Sequence, residues 1–241
     1  MINRDGGVTC YQQLSEILLN QIESGLFKPG HQLPTETELS KRYKLNRHTV
    51  RQGLGRLEDK GFVYKIKGKG TFVANNKIAY KVSEKTRFTT SILEVGLSPD
   101  AELLDFYEIS AGNELAQKLR ISPDDKVVVL EILRHVNTIP FCQTTSFLSA
   151  QKFPGLHNHL QGNFSLYALL KERFQVETTR TSSSFEVSWP ETMDMDRLHI
   201  SPKVPILIVK SLSKDQEENI VEYCLSRFRG DLCSFTLEFE K

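Results

Sequence analysis

Between residues 8 and 74, three short helical periods run straight into a hairpin built on alternating glycine and lysine, and few folds accommodate that order. In residues 11–24, Tyr11, Leu14, Ile17, Leu18 and Ile22 recur at helical spacing, and Gly25 follows as a stop. Pro29-Gly30 then enforces a turn. Thr35 stands three residues before Glu38, the spacing at which each side chain takes the other's backbone amide, and it opens a second helix through Leu39 and Tyr43. Asn46 is suited to cap a third helix whose apolar stripe is Val50, Leu54 and Leu57, with Gly61 after its end. Residues 62–66 and 71–73 read as strands around Lys67-Gly68-Lys69-Gly70, whose glycines suit a tight tip.

Helix, helix, short turn, helix, hairpin is the plan of a winged helix-turn-helix, and the charge distribution agrees with it. The chain as a whole carries a net +1. Divided after Lys77, the first part holds 13 Lys/Arg against 7 Asp/Glu and the second 18 against 23. A basic module joined to an acidic one points to a nucleic-acid partner for the first. On the third helix Arg47, His48, Arg51 and Gln52 fall opposite the apolar stripe, where an arginine can donate two hydrogen bonds to guanine O6 and N7. Thr49 and the helix N-terminus are placed for phosphate oxygens, which set register without reading sequence. Lys65, Lys67 and Lys69 line the hairpin, with Gly68 and Gly70 allowing close backbone approach. A solvated basic helix beside an ordinary hairpin explains the arginines taken alone. The ordered helices, the capped turn and the Gly-Lys wing together favour double-stranded DNA.

The remainder has a different texture. The module over residues 8–76 is followed by a polar linker at 77–86 and a second domain at 87–241. Strand-like stretches recur there at 103–109, 126–136, 141–148, 177–189, 205–212, 221–228 and 234–239, with helical periods at 88–96, 114–119, 166–174 and 191–198 between them. The fold class is therefore α+β. With 39% apolar and 25% charged residues, the chain is neither disordered nor fibrous. No run approaches the roughly 18 apolar residues of a membrane span, and the first residues lack the apolar core of a secretory signal, so a cytoplasmic location is expected. Cys10, Cys142, Cys224 and Cys233 are scattered, which speaks against a disulfide framework, a zinc site or a nucleophile. His157 and His159 lack nearby acidic partners and read as a surface loop rather than metal ligands.

With these residues in view, a resemblance becomes specific. Tyr11, Gly25, Pro29-Gly30, Leu33-Pro34-Thr35-Glu36, Leu39, Asn46-Arg47-His48-Thr49-Val50-Arg51, Leu54, Leu57, Gly61 and Gly68-Lys69-Gly70-Thr71-Phe72-Val73 resemble the N-terminal winged helix-turn-helix of the GntR family of transcriptional regulators. The resemblance implies that Arg47 and Arg51 read bases, that Thr35, Glu36 and Thr49 assist at the backbone, and that the tip at Gly68–Gly70 enters the minor groove. Asn46 departs from the serine many members carry. It still caps a helix well. In the second domain Arg134-His135-Val136-Asn137 with Pro140, Ser165-Leu166-Tyr167, and Val221-Glu222-Tyr223 with Arg229-Gly230-Asp231 and Phe235 resemble the ligand-sensing UTRA domain of the HutC subfamily. That implies a chorismate-lyase-like antiparallel sheet with flanking helices. Asn46-Arg47-His48-Thr49, and Arg87-Phe88-Thr89-Thr90 followed by Gly96, are further similar to regulators of phosphonate uptake and breakdown.

Carried over position by position, the family's ligand pocket implies Arg134, Thr144, Ser165, Tyr167 and Glu222, with Arg87, Thr89 and Thr90 near its entrance. Guanidinium beside hydroxyls suits a small anion bearing phosphate, phosphonate or carboxylate, and Glu222 would accept from an amine or hydroxyl. Thr144 stands where sugar-phosphate sensors often carry an acid, which counts against an amino-sugar ligand. The residues alone leave bland alternatives open: Arg134 paired with a carboxylate across strands, Ser165 capping a helix, Tyr167 in the core. The expected function is a ligand-responsive, homodimeric transcriptional repressor that needs no cofactor. The alternatives are an enzyme of lyase-like fold with an accessory DNA-binding domain, and a family member sensing a different small anion or sugar phosphate. Fold does not carry chemistry, and the chain shows no nucleophile–base constellation and no nucleotide loop. A DNA-architectural protein would not need a pocket-bearing domain of this size.

Overall fold

The computed structural model describes residues 2–3, 7–66, 68–74, 77–85, 87–160, 162 and 164–237. Helices α1 (Cys10–Glu23), α2 (Glu36–Tyr43) and α3 (Arg47–Asp59) lead into a hairpin of β1 (Val63–Ile66) and β2 (Gly70–Val73), the expected winged helix-turn-helix. The caps form as read. Thr35 Oγ1 accepts from the Glu38 amide while the Glu38 carboxylate accepts from the Thr35 amide, and Asn46 Oδ1 accepts from the Thr49 amide at 2.7 Å. Helices of 8 to 14 residues are marginal alone. Here Leu14, Leu18, Leu39, Val50, Leu54, Leu57 and Val73 fix them in one core, all at most 1% exposed, each burial contributing about 1.5–3 kcal/mol.

The second half contains β3 (Ile78–Lys81), α4 (Phe88–Glu94), β4 (Pro99–Ser110), α5 (Gly112–Leu119), β5 (Lys126–Val136), β6 (Ile139–Ser149), a 3-10 turn (Leu156–His159), α6 (Leu166–Phe174), β7 (Thr179–Ser188), α7 (Thr192–Leu198), β8 (Ile206–Lys214), β9 (Ile220–Arg229) and β10 (Cys233–Thr236). Six strands form an antiparallel sheet in the order β4-β5-β6-β9-β8-β7. The fold is α+β, a sheet with flanking helices, as expected.

One expectation is corrected. Residues 77–86 are not a linker throughout, because 78–81 form β3, which pairs in parallel with β10. Tyr80 at its centre is 5% exposed and packs on Phe228 and Phe235. The pairing partner lies some 155 residues further on, so no local period announces it. Of the connecting positions, 75, 76 and 86 lie outside the described residues.

The sheet's two faces differ. On one, α5 covers Val127 and Tyr223 through Ala116 and Leu119, and α7 covers Leu133 and Ile208 through Leu198. The other runs from an apolar cluster under α6 (Val128, Leu130, Leu148, Leu170) to a second cluster under α4, β3 and β10 (Val136, Phe141, Cys142, Val209, Phe228). Between these clusters lies a belt of polar side chains.

The β8–β9 turn is held by one carboxylate. Asp215 is 3% exposed, pairs with Lys152, and accepts from the amides of Glu217 and Asn219 at 2.9 Å each. Burial raises its pKa, but the Lys152 and Asn219 hydrogen bonds overcome that and pull it down to about 2. A carboxyl depressed in the folded state stabilises above its unfolded pKa, and the contribution disappears as pH falls through the folded value. Asp215→Ala is therefore expected to cost about 2 kcal/mol at pH 7 and much less near pH 2, read as the urea midpoint against pH. Equal losses at both pH values would assign the effect to packing instead.

Candidate DNA interface and ligand cavity

On α3, Val50, Leu54 and Leu57 face the core, and Arg47, His48, Arg51 and Gln52 are exposed on the opposite face, as the period requires. Thr49 is partly covered. Arg51 is not idle: its Nε and Nη2 donate to the two Glu36 oxygens at 3.2 and 3.0 Å. That bond, and the charges of Arg51, Lys65 and Arg47, hold the Glu36 carboxyl below its usual range. Glu36 thus positions Arg51 rather than offering a free contact of its own. The Thr35 hydroxyl is likewise occupied, donating to Glu38 at 2.8 Å. Lys65, expected along the wing, is engaged by Glu58 at 3.0 Å.

At the wing tip Gly68 and Lys69 are exposed; Lys67 lies outside the described residues. Gln32, which the sequence did not single out, donates from Nε2 to the Lys69 carbonyl at 2.6 Å and braces the tip. A Cβ at Gly70 would lie 2.5 Å from that nitrogen, on a backbone with φ of +123°. Gly70 therefore has to be glycine here. Lys69 makes no described ion pair. Lys69→Ala is expected to weaken specific and random DNA about equally and to lower the slope of log K against log salt by about 1. A sequence-selective loss with an unchanged slope would show the wing reading bases.

The polar belt of the second domain closes into a cavity of about 60 Å³. Of the residues implied by resemblance, Arg87, Thr89, Arg134, Thr144, Ser165, Tyr167 and Glu222 all line it. Thr90 does not: it is exposed on the outer side of α4, one residue round the turn from Thr89. Strand alternation places the others. Thr144 and Ser146 on β6 share a face with Glu222, Cys224 and Ser226 on β9 and Ser211 on β8, through pairs such as Thr144–Ser226 and Ser211–Cys224.

The surroundings of Arg134, Ser165 and Tyr167 bear on the alternatives. Arg134 is 9% exposed, yet no carboxylate lies within ion-pair distance among the described residues; its guanidinium rests on the Phe88 ring at 5.1 Å. Ser165 precedes α6 but makes no side-chain capping bond. Tyr167 packs against the apolar cluster under α6, as the core alternative has it, and in addition its hydroxyl donates to Glu222 Oε2 at 2.5 Å and accepts from Ser213 at 3.3 Å. Burial and the Glu222 carboxylate push the Tyr167 pKa well above its ordinary value, so the phenol stays a donor. Arg87 donates to the Thr178 hydroxyl and carbonyl at 2.8 and 3.1 Å and lies over the Tyr167 ring at 5.0 Å.

Sequence reading missed Arg180. It lines the cavity from β7, and its buried Nε has no hydrogen-bond partner among the described residues. Nothing local marks it. The alternation of Cys142, Thr144 and Ser146, and of Glu222, Cys224 and Ser226, small or polar side chains on one face of each strand, is a signal available for the rest. Cys142 and Cys224 are part of the lining, and burial pushes their thiols up to about 12 and about 11, which leaves them protonated. His157 and His159 sit exposed on the 3-10 turn. Among the described residues that line it, three arginines against one carboxylate give the cavity an excess of positive charge inside a domain whose total is negative.

An exposed basic helix and wing, joined to a domain that encloses a cation-lined cavity, define a ligand-responsive DNA-binding regulator. Residues 10–73 match the bacterial regulatory proteins of the gntR family and residues 94–234 match the UTRA domain, and the chain belongs to the GntR family, in its HutC-type branch. It is 29% identical over 235 residues to the HTH-type transcriptional repressor NagR of Bacillus subtilis (strain 168), covering 97% of this chain and 96% of that one. It is also 29% identical over 232 residues to the "Probable transcriptional regulator PhnF" of Escherichia coli (strain K12), with 95% of each covered. The crystal structure of PhnF from Mycobacterium smegmatis superposes with a TM-score of 0.67 at 26% identity, over 94% of this chain and 99% of that one. The chain is a transcriptional regulator, not an enzyme. No helix among the described residues is long and apolar enough to cross a membrane.

Proposed function

We propose that this regulator is a cytoplasmic homodimeric repressor whose operator affinity is set by a small anion with a phosphate, phosphonate or carboxylate headgroup. The observation that carries the anion is Arg134, a buried guanidinium with no carboxylate in ion-pair distance among the described residues. An uncompensated buried charge is costly, so a ligand of opposite sign is the natural occupant. Arg180 supplies a second unsatisfied guanidinium nitrogen, and Thr144, Ser165 and Ser211 supply hydroxyls for the remaining oxygens. Glu222, already held by Tyr167, accepts from a donor at the ligand's other end. The likeness of residues 46–49 and 87–90 to phosphonate regulators, together with Thr144 in place of an acid, favours a phosphonate over an amino-sugar phosphate. No other cofactor is needed for this role.

Gel shifts on a duplex selected from a random pool, with phosphate, alkyl- and aminoalkylphosphonates and sugar phosphates as additions, test the reading. One of the anions is expected to shift operator affinity by about 5–150-fold, the typical size of a coupling of ~1–3 kcal/mol. A neutral ligand acting best would refute it. A single α3 reads only a few base pairs, so two copies on an inverted repeat are expected, with major-groove contacts about 34 Å apart or a simple multiple of that. Ultracentrifugation showing monomers at micromolar concentration, with one protomer per duplex, would contradict the dimer.

A further inference from the structure

Glu222 and Arg180 stand in one row across the sheet. Glu222 on β9 pairs with Ser213 on β8, and Ser213 pairs with Arg180 on β7, so the three side chains project from one face. Two strand spacings put the Glu222 and Arg180 backbones about 10 Å apart. Among the described residues Arg180 nonetheless makes no ion pair, and its buried Nε has no hydrogen-bond partner. Glu222 is 1% exposed; one of its oxygens is held by the Tyr167 hydroxyl, and the other takes no hydrogen bond among the described residues. A carboxylate and a guanidinium thus face one cavity without meeting, each with bonding capacity left. Arg134 enters the same cavity from β5, with three strands between it and β7. The Cys224 thiol feels all three charges: beyond burial, Glu222 pushes its pKa up, while Arg180 and Arg134 pull it down.

We propose that the far end of the ligand is an amino-acid group: the cavity takes a short α-amino acid whose side chain ends in a phosphonate or phosphate, with the ammonium on Glu222, the α-carboxylate on Arg180 and the phosphorus anion on Arg134. This rests on the anionic headgroup of the proposed function and names what the rest of the molecule carries. An ammonium and a carboxylate on one carbon form a compact pair of charges that satisfies a carboxylate and a guanidinium held apart across one strand. Charge balance agrees. Three arginines and one glutamate among the described lining residues sum to +2. A phospho group carries about −1.5 to −2 at pH 7, and the zwitterion adds nothing, so ligand and cavity together come close to neutral. An aminoalkylphosphonate would answer Glu222 but leave Arg180 without a counter-charge. A plain alkylphosphonate would leave both members of the row unmatched, with the cost of a buried charge still standing. The cavity of about 60 Å³ favours a short chain over a sugar phosphate.

Calorimetry on the full chain separates the two ends. The probes are phosphonoalanine and phosphoserine, which carry all three groups; aminoethylphosphonate and phosphoethanolamine, which lack the carboxylate; and phosphonopropionate, which lacks the amine. One of the two complete ligands is expected to bind about tenfold or more tighter than its truncated counterparts, the loss that follows from one missing charge-assisted contact. Which of the two binds better tells a phosphonate source from a phosphate one. Arg180→Gln is expected to erase the advantage over the ligand without the carboxylate and to keep the advantage over the ligand without the amine. Glu222→Gln is expected to do the reverse. Each variant is read as a ratio between ligands on one folded sample, so a loss of stability does not imitate the result. Truncated ligands that bind as tightly as the complete ones would overturn the amino-acid end and leave the proposed headgroup standing. The same would follow if none of these probes bound and a sugar phosphate did. If only neutral ligands bound, both readings would fall. Equal changes of both ratios in both variants would deny Arg180 and Glu222 their separate contacts and overturn the assignment.

Discussion

Arg134→Met is expected to lose the anionic ligand and to gain stability at the same time. Among the described residues the buried guanidinium has no carboxylate in ion-pair distance and gains a cation–π contact with Phe88, typically ~0.5–2 kcal/mol. An unpaired charge in that position costs several kcal/mol, so an apolar side chain of similar length is favoured in the empty protein. A net gain of about 1–2 kcal/mol, or roughly 2–8 °C in Tm, is expected without ligand. Calorimetry should show anion affinity falling by about 2–4 kcal/mol, roughly 30- to 1000-fold, because Arg134 is the most buried cation facing the ligand. The two signs together are diagnostic. A structural arginine would lose stability on replacement, and a residue outside the site would leave affinity alone. Loss of Tm with intact anion binding would remove Arg134 from the site.

The first domain was legible because its signals are local. The Thr35–Glu38 capping box, the Asn46 cap and the Val50, Leu54, Leu57 stripe each lie within a few residues, and each forms as read. The second domain was legible in strand content and less so in wiring. The polar texture of residues 77–86 reads as linker, because the strand that pairs with β3 among the described residues, β10, lies some 155 residues further on. The cavity shows the same division. Glu222 and Tyr167 meet across 55 positions in sequence, and Arg180 reaches the cavity from an edge strand whose neighbours carry no motif. The resemblance supplied seven of the lining residues, but not that Arg134 lacks a carboxylate partner among the described residues or that Glu36 occupies Arg51. Those are properties of packing, and only coordinates show them.

That packing gives Arg51 a different character from Arg47. Arg47→Ala and Arg51→Ala are each expected to cost about 1–3 kcal/mol on the specific duplex and to relax discrimination at one base pair. Arg47 opens α3 with no described hydrogen bond to its side chain, so its whole guanidinium is available to a base edge. Arg51 would meet DNA with two of its nitrogens already committed to Glu36. Such a fork is aimed before DNA arrives, which reduces the rotamer entropy lost on binding. Glu36→Gln keeps the side chain's shape but weakens the charge-assisted bond, so Arg51 samples more directions and nearby phosphates become accessible to it. The expected result is a smaller ratio of specific to random binding, with random binding itself unchanged or tighter. In an Arg51→Ala background the same Glu36→Gln change should have little effect on discrimination, because the residue it positions is gone. A double-mutant cycle on matched and mismatched duplexes reads this coupling directly. If Glu36→Gln lowers discrimination equally with and without Arg51, the glutamate acts on DNA by its own route and the positioning role is wrong.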